Sequence, residues 1–394
     1  MKISLVVSDL STRGAGRWGG AVRPFLLTQA LQHLGHSVEI VGFVPEGAEA
    51  GTQELDLSIY TIYAQPYPQF FRSATQLLRQ LQGDVVYAYK LKPTSFGLGV
   101  LKCLTSKQPL LLDIDDWEMS WHGGDRHHYH PSPKQFARDL LTADGELRNP
   151  DHPVYLKWTE RWIKRADKIT THTQFLRDRF GGTYVPNGKD IEMFRPDAYD
   201  PHQIRRKLGL SNYRVLMFPG APRPYKGLED ILEAIAQINE PDIRLVIVGG
   251  SPYDDYDQQL MNRWGQWIVK LPKFSYEQMP EVVSAAHVVV VPQRDVPAAR
   301  AQFPLKLTDG MAMAKPILAT TVGDIPNILG NTGYLVAPSH VDQMAQTLRW
   351  MLQNEDAIQV KGEQARQRCV EKFSIEAMAA NLAPVLDHLL VRHD

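Results

Sequence analysis

The sequence predicts an α/β protein of two doubly wound domains, each a parallel sheet wrapped by helices, facing one another across a cleft. Short apolar runs rich in Val, Ile and Leu recur at 3–7, 38–44, 85–89 and 110–115, and again at 214–218, 244–250, 268–271 and 287–291. Runs of that length and composition suit parallel strands buried on both faces. Helical periodicities alternate with them, which makes βαβ units. A length of 394 residues accommodates two such domains. The first is placed at 1–197 and the second at 198–375, with a last helix at about 376–394 packing back on the first. The polar, proline-containing stretch 196–212 serves as the linker.

Residues 3–7 open the first sheet. The glycine-containing segment STRGAGRWGG at 11–20 follows, then Val22, Leu26, Leu27, Ala30, Leu31 and Leu34 at helical spacing, a stop at Gly35, and the strand 38–44. Strand, glycine loop, helix and strand form a Rossmann-like unit. Gly19 and Gly20 would let the backbone approach a phosphate closely, and a flexible turn without a ligand is the competing reading. The spacing is not the GxGxxG pattern that marks a dinucleotide site.

The strand at 110–115 ends in Asp113, Asp115 and Asp116. Carboxylates at the carboxyl end of a parallel strand sit where ligands bind. A divalent-metal site, a general base or hydroxyl acceptor, and simple capping all stay open for them. His122, His127, His128 and His130 match no zinc spacing and lie in a Gly/Pro/Asp-rich stretch, which reads as a mobile acceptor-side loop. Residues 155–167 are expected as one amphipathic helix, and 169–171 as a strand. The run VPNGKDIEMFRP at 185–196 holds a tight turn and an exit from the domain.

In the second half, a strand at 214–218 leads into PGAPRPYKG at 219–227 and then a helix through Leu228, Ile231, Leu232, Ile235 and Ala236. The stretch AQFPLKLTDGMAMAKPILAT at 301–320 is expected to hold a small-residue helix over 310–314, ended by Lys315-Pro316 and able to approach another backbone closely. A helix N-terminus with free N–H groups and partial positive charge suits an anion such as a phosphate.

Charged residues make up 22% and hydrophobic residues 43%, with a formal net charge of -1, so nothing draws the chain toward nucleic acid. Cys103 and Cys369 stand far apart, which fits a reducing compartment better than a disulfide framework or a zinc site. No run approaches the roughly 20 apolar residues of a membrane span, and the opening MKISLVVSDL reads as a strand rather than a signal peptide. A cytoplasmic protein is expected. A helix through Arg72, Leu77, Leu78, Arg79 and Leu81 leaves peripheral contact with the inner membrane open.

These segments together resemble glycosyltransferase family four, retaining enzymes of the GT-B fold. The resemblance spans nearly the whole chain. It is carried by VPNGKDIEMFRP at 185–196, KGLEDILEA at 226–234, LVIVG at 245–249 and GMAMAKP at 310–316. It implies transfer of a sugar from a nucleotide diphosphate sugar, UDP-linked by family habit, to an acceptor hydroxyl, with retention. No metal and no further cofactor is implied. The second domain would hold the nucleotide. The first would hold the acceptor, which is a saccharide, a lipid-linked sugar or a small molecule.

The resemblance also assigns roles. A paired Arg and Lys neutralise the leaving diphosphate. Lys226 aligns with the Lys, whereas the usual Arg position is Ala221, and Arg223 is expected to take over. Gly19 and Gly20 would approach the diphosphate. The family's two glutamates, seven residues apart, correspond here to Ala301 and Asp309. Asp309 is expected to accept hydrogen bonds from ribose hydroxyls, with Gln302 beside the lost first glutamate. Lys306, in Pro304-Leu305-Lys306, resembles a subgroup lacking that glutamate and is assigned to phosphate or donor contact. The backbone from Phe303 through Leu305 to Leu307 lines the diphosphate. Asp115 stands where many members carry a histidine, and could stabilise developing positive charge or orient the acceptor hydroxyl. A sugar-nucleotide epimerase and a catalytically idle binding subunit are the alternatives. The aromatic and His-rich loop 117–129 speaks against the first, and Arg223, Lys226 and Asp309 speak against the second.

Overall fold

The structure, a computed structural model, describes residues 1–12, 22–51, 57–251 and 254–390. The chain divides into two compact units, Met1–Pro186 with Met378–Asp394, and Asn187–Ala377. The sequence-based break after 197 thus lies eleven residues beyond the observed one at Pro186–Asn187. Residues 187–197 join the second unit because their groups are tied into it. The Lys189 amide donates to the Phe373 carbonyl at 2.7 Å, and Phe194 is fully buried in that unit's core. The expected linker is itself structured. A short turn covers Pro196–Ala198, and Asp200 caps a helix over Pro201–Lys207 through the His202 amide.

The first unit holds seven strands: β1 (Lys2–Val7), β2 (Ser37–Pro45), β3 (Ser58–Ala64), β4 (Val85–Tyr89), β5 (Leu110–Ile114), β6 (Lys168–Thr171) and β7 (Thr183–Tyr184). Their order is β3-β2-β1-β4-β5-β6-β7, parallel throughout. The order reverses direction between β1 and β4, which is where ligands bind in doubly wound sheets, outside the carboxyl ends of the strands.

The second unit holds six: β8 (Arg214–Pro219), β9 (Ile243–Val248), β10 (Ile268–Leu271), β11 (Val288–Val291), β12 (Ile317–Thr320) and β13 (Tyr334–Val336). They are ordered β10-β9-β8-β11-β12-β13, again all parallel. Successive side chains feed opposite faces. Val215, Met217, Val246, Val248, Val289 and Val291 enter one core, and Leu216, Phe218, Leu245, Ile247, Val288 and Val290 enter the other. That period of two with apolar residues on both faces is why the strands read as unbroken apolar runs. The switch point here lies between β8 and β11. Two Rossmann-like units are therefore present, as the alternation of runs and periodic segments requires.

Three local expectations need correction. The helix at 155–167 is instead a helix over Pro153–Glu160 and a separate tight turn at Ile163–Arg165. Its hydrogen bonds shift to the i→i−3 pattern at Arg161 and Trp162, which ends the α-helix. The small-residue helix begins at Leu305 rather than 310 and runs to Ala312. It ends before Lys315-Pro316, because Ala314 turns left-handed (φ 53°) and the Lys315 amide closes back on the Gly310 carbonyl at 2.9 Å. The helix packs tightly on β11 at Gly310, where a β-carbon would lie 3.1 Å from the Val289 side chain rather than from a neighbouring backbone. Finally, residues 118–126 form two short helical turns rather than a loose loop. They are held by Arg179 on Asp125, and by Lys157 donating to the His127 carbonyl at 2.8 Å.

Candidate functional site

In the second unit the loop leaving β8 and the helix Leu305–Ala312 lie at the carboxyl end of the sheet, beside the β8–β11 switch point. The loop turns into its own helix through Gly227, at φ 69°. A β-carbon there would sit 1.9 Å from the Pro292 carbonyl, just beyond β11, so only glycine lets the loop seat against β11. That seating fixes Lys226, whose ammonium donates to the Ala221 carbonyl at 2.9 Å. Lys306 comes from the first turn of the helix. It is 9% exposed, and its Nζ lies 4.8 Å from the centre of the Phe218 ring. A β-carbon on Gly220 would lie 3.7 Å from its Cε.

Burial, and then the charges of Lys306 and Arg223, push the Lys226 pKa well below its ordinary value. Burial lowers Lys306 to about 8, against the opposing pull of Asp309. Among the described residues neither lysine forms an ion pair with a carboxylate. Two crowded ammonium groups at a helix N-terminus form a site that gains by taking up an anion. Arg223 stands at its edge, with Nη1 3.2 Å from Asp254.

Asp309 lies one helical turn beyond Lys306, where its Oδ1 pairs with Lys189. Lys189 is 2% exposed and Asp309 14%, so the carboxylate keeps an open side while its partner does not. Tyr225 Oη donates to Gln302 Oε1 at 3.2 Å, tying the β8 loop to the segment before the helix. Phe303 packs into the core against Phe373, with ring centres 6.1 Å apart, and Leu305 lies against the same core. Those two offer a ligand backbone rather than side chain. Ala301 is fully buried.

In the first unit the acidic cluster resolves into separate roles. Asp113 belongs to β5 and is wholly buried. Arg23 Nε and Nη2 reach it at 2.6 and 2.7 Å, and Thr170 donates to it at 2.6 Å. Both of its oxygens are therefore committed to the core, which removes it from any metal or catalytic set. Asp115, one residue past β5, accepts from the Tyr89 hydroxyl and lies 3.5 Å from Lys90 Nζ. Burial raises its pKa. Burial also raises Asp116, to about 7, though Lys90 opposes this and Trp121 Nε1 donates to it at 2.8 Å. Glu118 has the same burial cost, but Lys90 at 3.0 Å and Lys92 at 3.3 Å hold it down to about 2. Lys92, Glu118, Asp151, His127 and His152 help line a cavity of about 1190 Å³ beside this network.

The structure thus brings Lys226, Lys306, Arg223, Gln302 and Asp309 into one neighbourhood of the second unit and places Asp115 in the first. Gly19 and Gly20 lie outside the described residues. Sequence reasoning missed Lys189, Lys90 and Lys92. For the last two a signal existed, because they directly follow the carboxyl end of β4.

Residues 213–354 match the family model described as Glycosyl transferases group 1. The chain is a glycosyltransferase. The glycosyltransferase is 26% identical over 214 residues to the MMP alpha-(1->4)-mannosyltransferase of Mycolicibacterium hassiacum, covering 53% of this chain and 48% of that one, so it spans about half of that relative's length. It is 25% identical to the GDP-mannose-dependent monoacylated alpha-(1-6)-phosphatidylinositol monomannoside mannosyltransferase of Corynebacterium glutamicum, covering 82% of this chain and 81% of that one. Its fold is similar to the crystal structure of Anabaena HepE in complex with UDP and glucose, with a TM-score of 0.75 at 17% identity, covering 98% and 99% of the two chains.

Proposed function

We propose that this glycosyltransferase takes a nucleotide diphosphate sugar, UDP-linked, as donor and transfers the sugar to an acceptor hydroxyl with retention of configuration and without a metal. The observation that carries the donor reading is the Lys226–Lys306 pair beside the N-terminus of the helix Leu305–Ala312. As the glycosidic bond breaks, negative charge develops on the leaving diphosphate. Fixed cations aimed at that charge lower the barrier, by on the order of 3 kcal/mol for each donor. Among the described residues Lys226 and Lys306 are paired with no carboxylate, and both are already desolvated, so they need no reorganisation as the charge appears. Arg223 adds a third positive group. These cations supply what a divalent ion would otherwise supply, which supports metal-independent transfer.

HepE, whose structure holds UDP and glucose, supports the choice of UDP, whereas the Corynebacterium relative is named for GDP-mannose. Retention rests on the resemblance to family four. Asp309 takes the ribose hydroxyls and Gln302 the sugar. In the first unit the cavity beside Lys92 and Glu118 receives the acceptor, and Asp115, held by Tyr89 and Lys90, orients its hydroxyl. The two cysteines are free thiols, which supports a reducing, cytoplasmic setting. Peripheral membrane contact stays part of the proposal. Among the described residues no helix is long and apolar enough to cross a membrane.

The test is incubation with a panel of UDP- and GDP-sugars, scoring nucleotide release with and without glycan and lipid-linked acceptors, in buffer with and without EDTA. Acceptor-dependent release from a UDP-sugar that survives EDTA is expected, with an NMR assignment of the product's anomeric centre reporting retention. Release without acceptor favours an epimerase. No binding of any nucleotide sugar overturns the reading.

A further inference from the structure

Lys189 lies 120 positions from Asp309 in sequence and belongs to the turn that opens the second unit. Its backbone is pinned on both sides. Its amide donates to the Phe373 carbonyl at 2.7 Å, and its carbonyl accepts from the Ile375 amide at 3.2 Å. Its side chain is 2% exposed and runs under two aromatic rings, with Nζ 4.2 Å from the centre of Phe194 and 5.3 Å from that of Tyr276. Burying an ammonium is costly, and a buried ion pair is weak evidence for stability by itself, because apolar residues of similar volume usually serve as well. The pair is also asymmetric. Lys189 is sealed in, while Asp309 opens outward on the same helix as Lys306.

We propose that Lys189 is a positioning residue for the nucleotide: it clamps Oδ1 of Asp309, so that the carboxylate keeps one orientation and presents its open side to the ribose diol of the donor. The clamp does a second thing. Asp309 pulls electrostatically on Lys306, and a carboxylate free to swing would quench that cation. With Lys189 neutralising it from behind, Lys306 stays available to the diphosphate. This proposal rests on the donor reading given above.

The experiment compares dissociation constants of UDP and 2′-deoxy-UDP, by calorimetry, for the wild type and for Lys189→Met, with circular dichroism and melting as the check on folding. The wild type is expected to prefer the ribonucleotide, and Lys189→Met to lose about tenfold of that preference, as for a charged hydrogen bond set loose. A purely structural lysine would change the melting temperature and leave the ratio alone. A folded Lys189→Met with the wild-type ratio therefore overturns the proposal while leaving the donor reading intact. A wild type that binds neither UDP nor GDP overturns both. If Lys189→Met does not fold, Lys189→Gln, which keeps a donor but not the charge, takes its place with the same two outcomes.

Discussion

Lys226 and Lys306 crowd one another at the carboxyl end of β8, and the charge of Lys306 helps to push the Lys226 pKa down. Like charges brought together under burial destabilise the empty site, and an anion relieves that stress. The pair is thus an arrangement that costs the protein something by itself and that an anion, such as the diphosphate of the proposed donor, would repay.

Removing either ammonium should slow turnover more than it weakens folding. Lys226→Ala is expected to lower kcat at least about 100-fold, since a lost donor to the developing charge costs on the order of 3 kcal/mol. Steady-state rates with saturating donor check this, and a near-normal rate rejects the role. Melting should show no loss, because a desolvated, repelled charge has been removed.

Nucleotide affinity should depend on pH through Lys306. Its pKa is lowered to about 8 by burial, so the group is charged below that pH and neutral above it. An incoming diphosphate favours the charged form. UDP binding should therefore take up a proton near pH 8 and weaken as the pH rises from 7 to 9. Calorimetry in buffers of different ionisation enthalpy measures the uptake, and Lys306→Met should flatten this part of the profile.

Asp113→Asn should act on stability rather than chemistry. It would leave the Arg23 guanidinium, 1% exposed, without its counter-charge. Breaking a buried pair from one side costs about 3–5 kcal/mol, which a urea titration reads directly. If Asp113 were a metal ligand instead, the variant would fold normally and lose a metal-dependent activity.

Gly227→Ala should damage the donor loop itself. The new β-carbon would meet the Pro292 carbonyl at 1.9 Å in a left-handed backbone. The strain alone is about 1–2 kcal/mol, and the clash displaces Lys226. Loss of UDP binding together with a lowered melting temperature is the expected result.

The central strands were legible because they are buried on both faces and so are mostly apolar, with few interruptions such as Ser4 and Asp113. Those of β11, Val288–Val291, are all valine and all buried. The edge strand β3 escaped notice because Ile62 is its one buried residue, while Ser58, Tyr60 and Tyr63 are exposed. The site was partly legible through residues whose neighbours in sequence are also neighbours in space, such as Arg223 and Lys226 on one loop. Lys189 was not, because its meaning comes from a partner 120 positions away. Asp113 misled for a related reason. A strand-end carboxylate looks like a rim residue until Arg23 is seen beneath it.

The full burial of Ala301 bears on any redesign of donor choice. Grafting a glutamate at that position, the obvious way to borrow a sugar contact, would drive a carboxylate into a fully buried position at the full cost of desolvating its charge. The addressable position is its neighbour Gln302, half-buried and already braced by Tyr225. A library built there, with Tyr225 varied alongside, reaches sugar selectivity without first having to rebuild the protein.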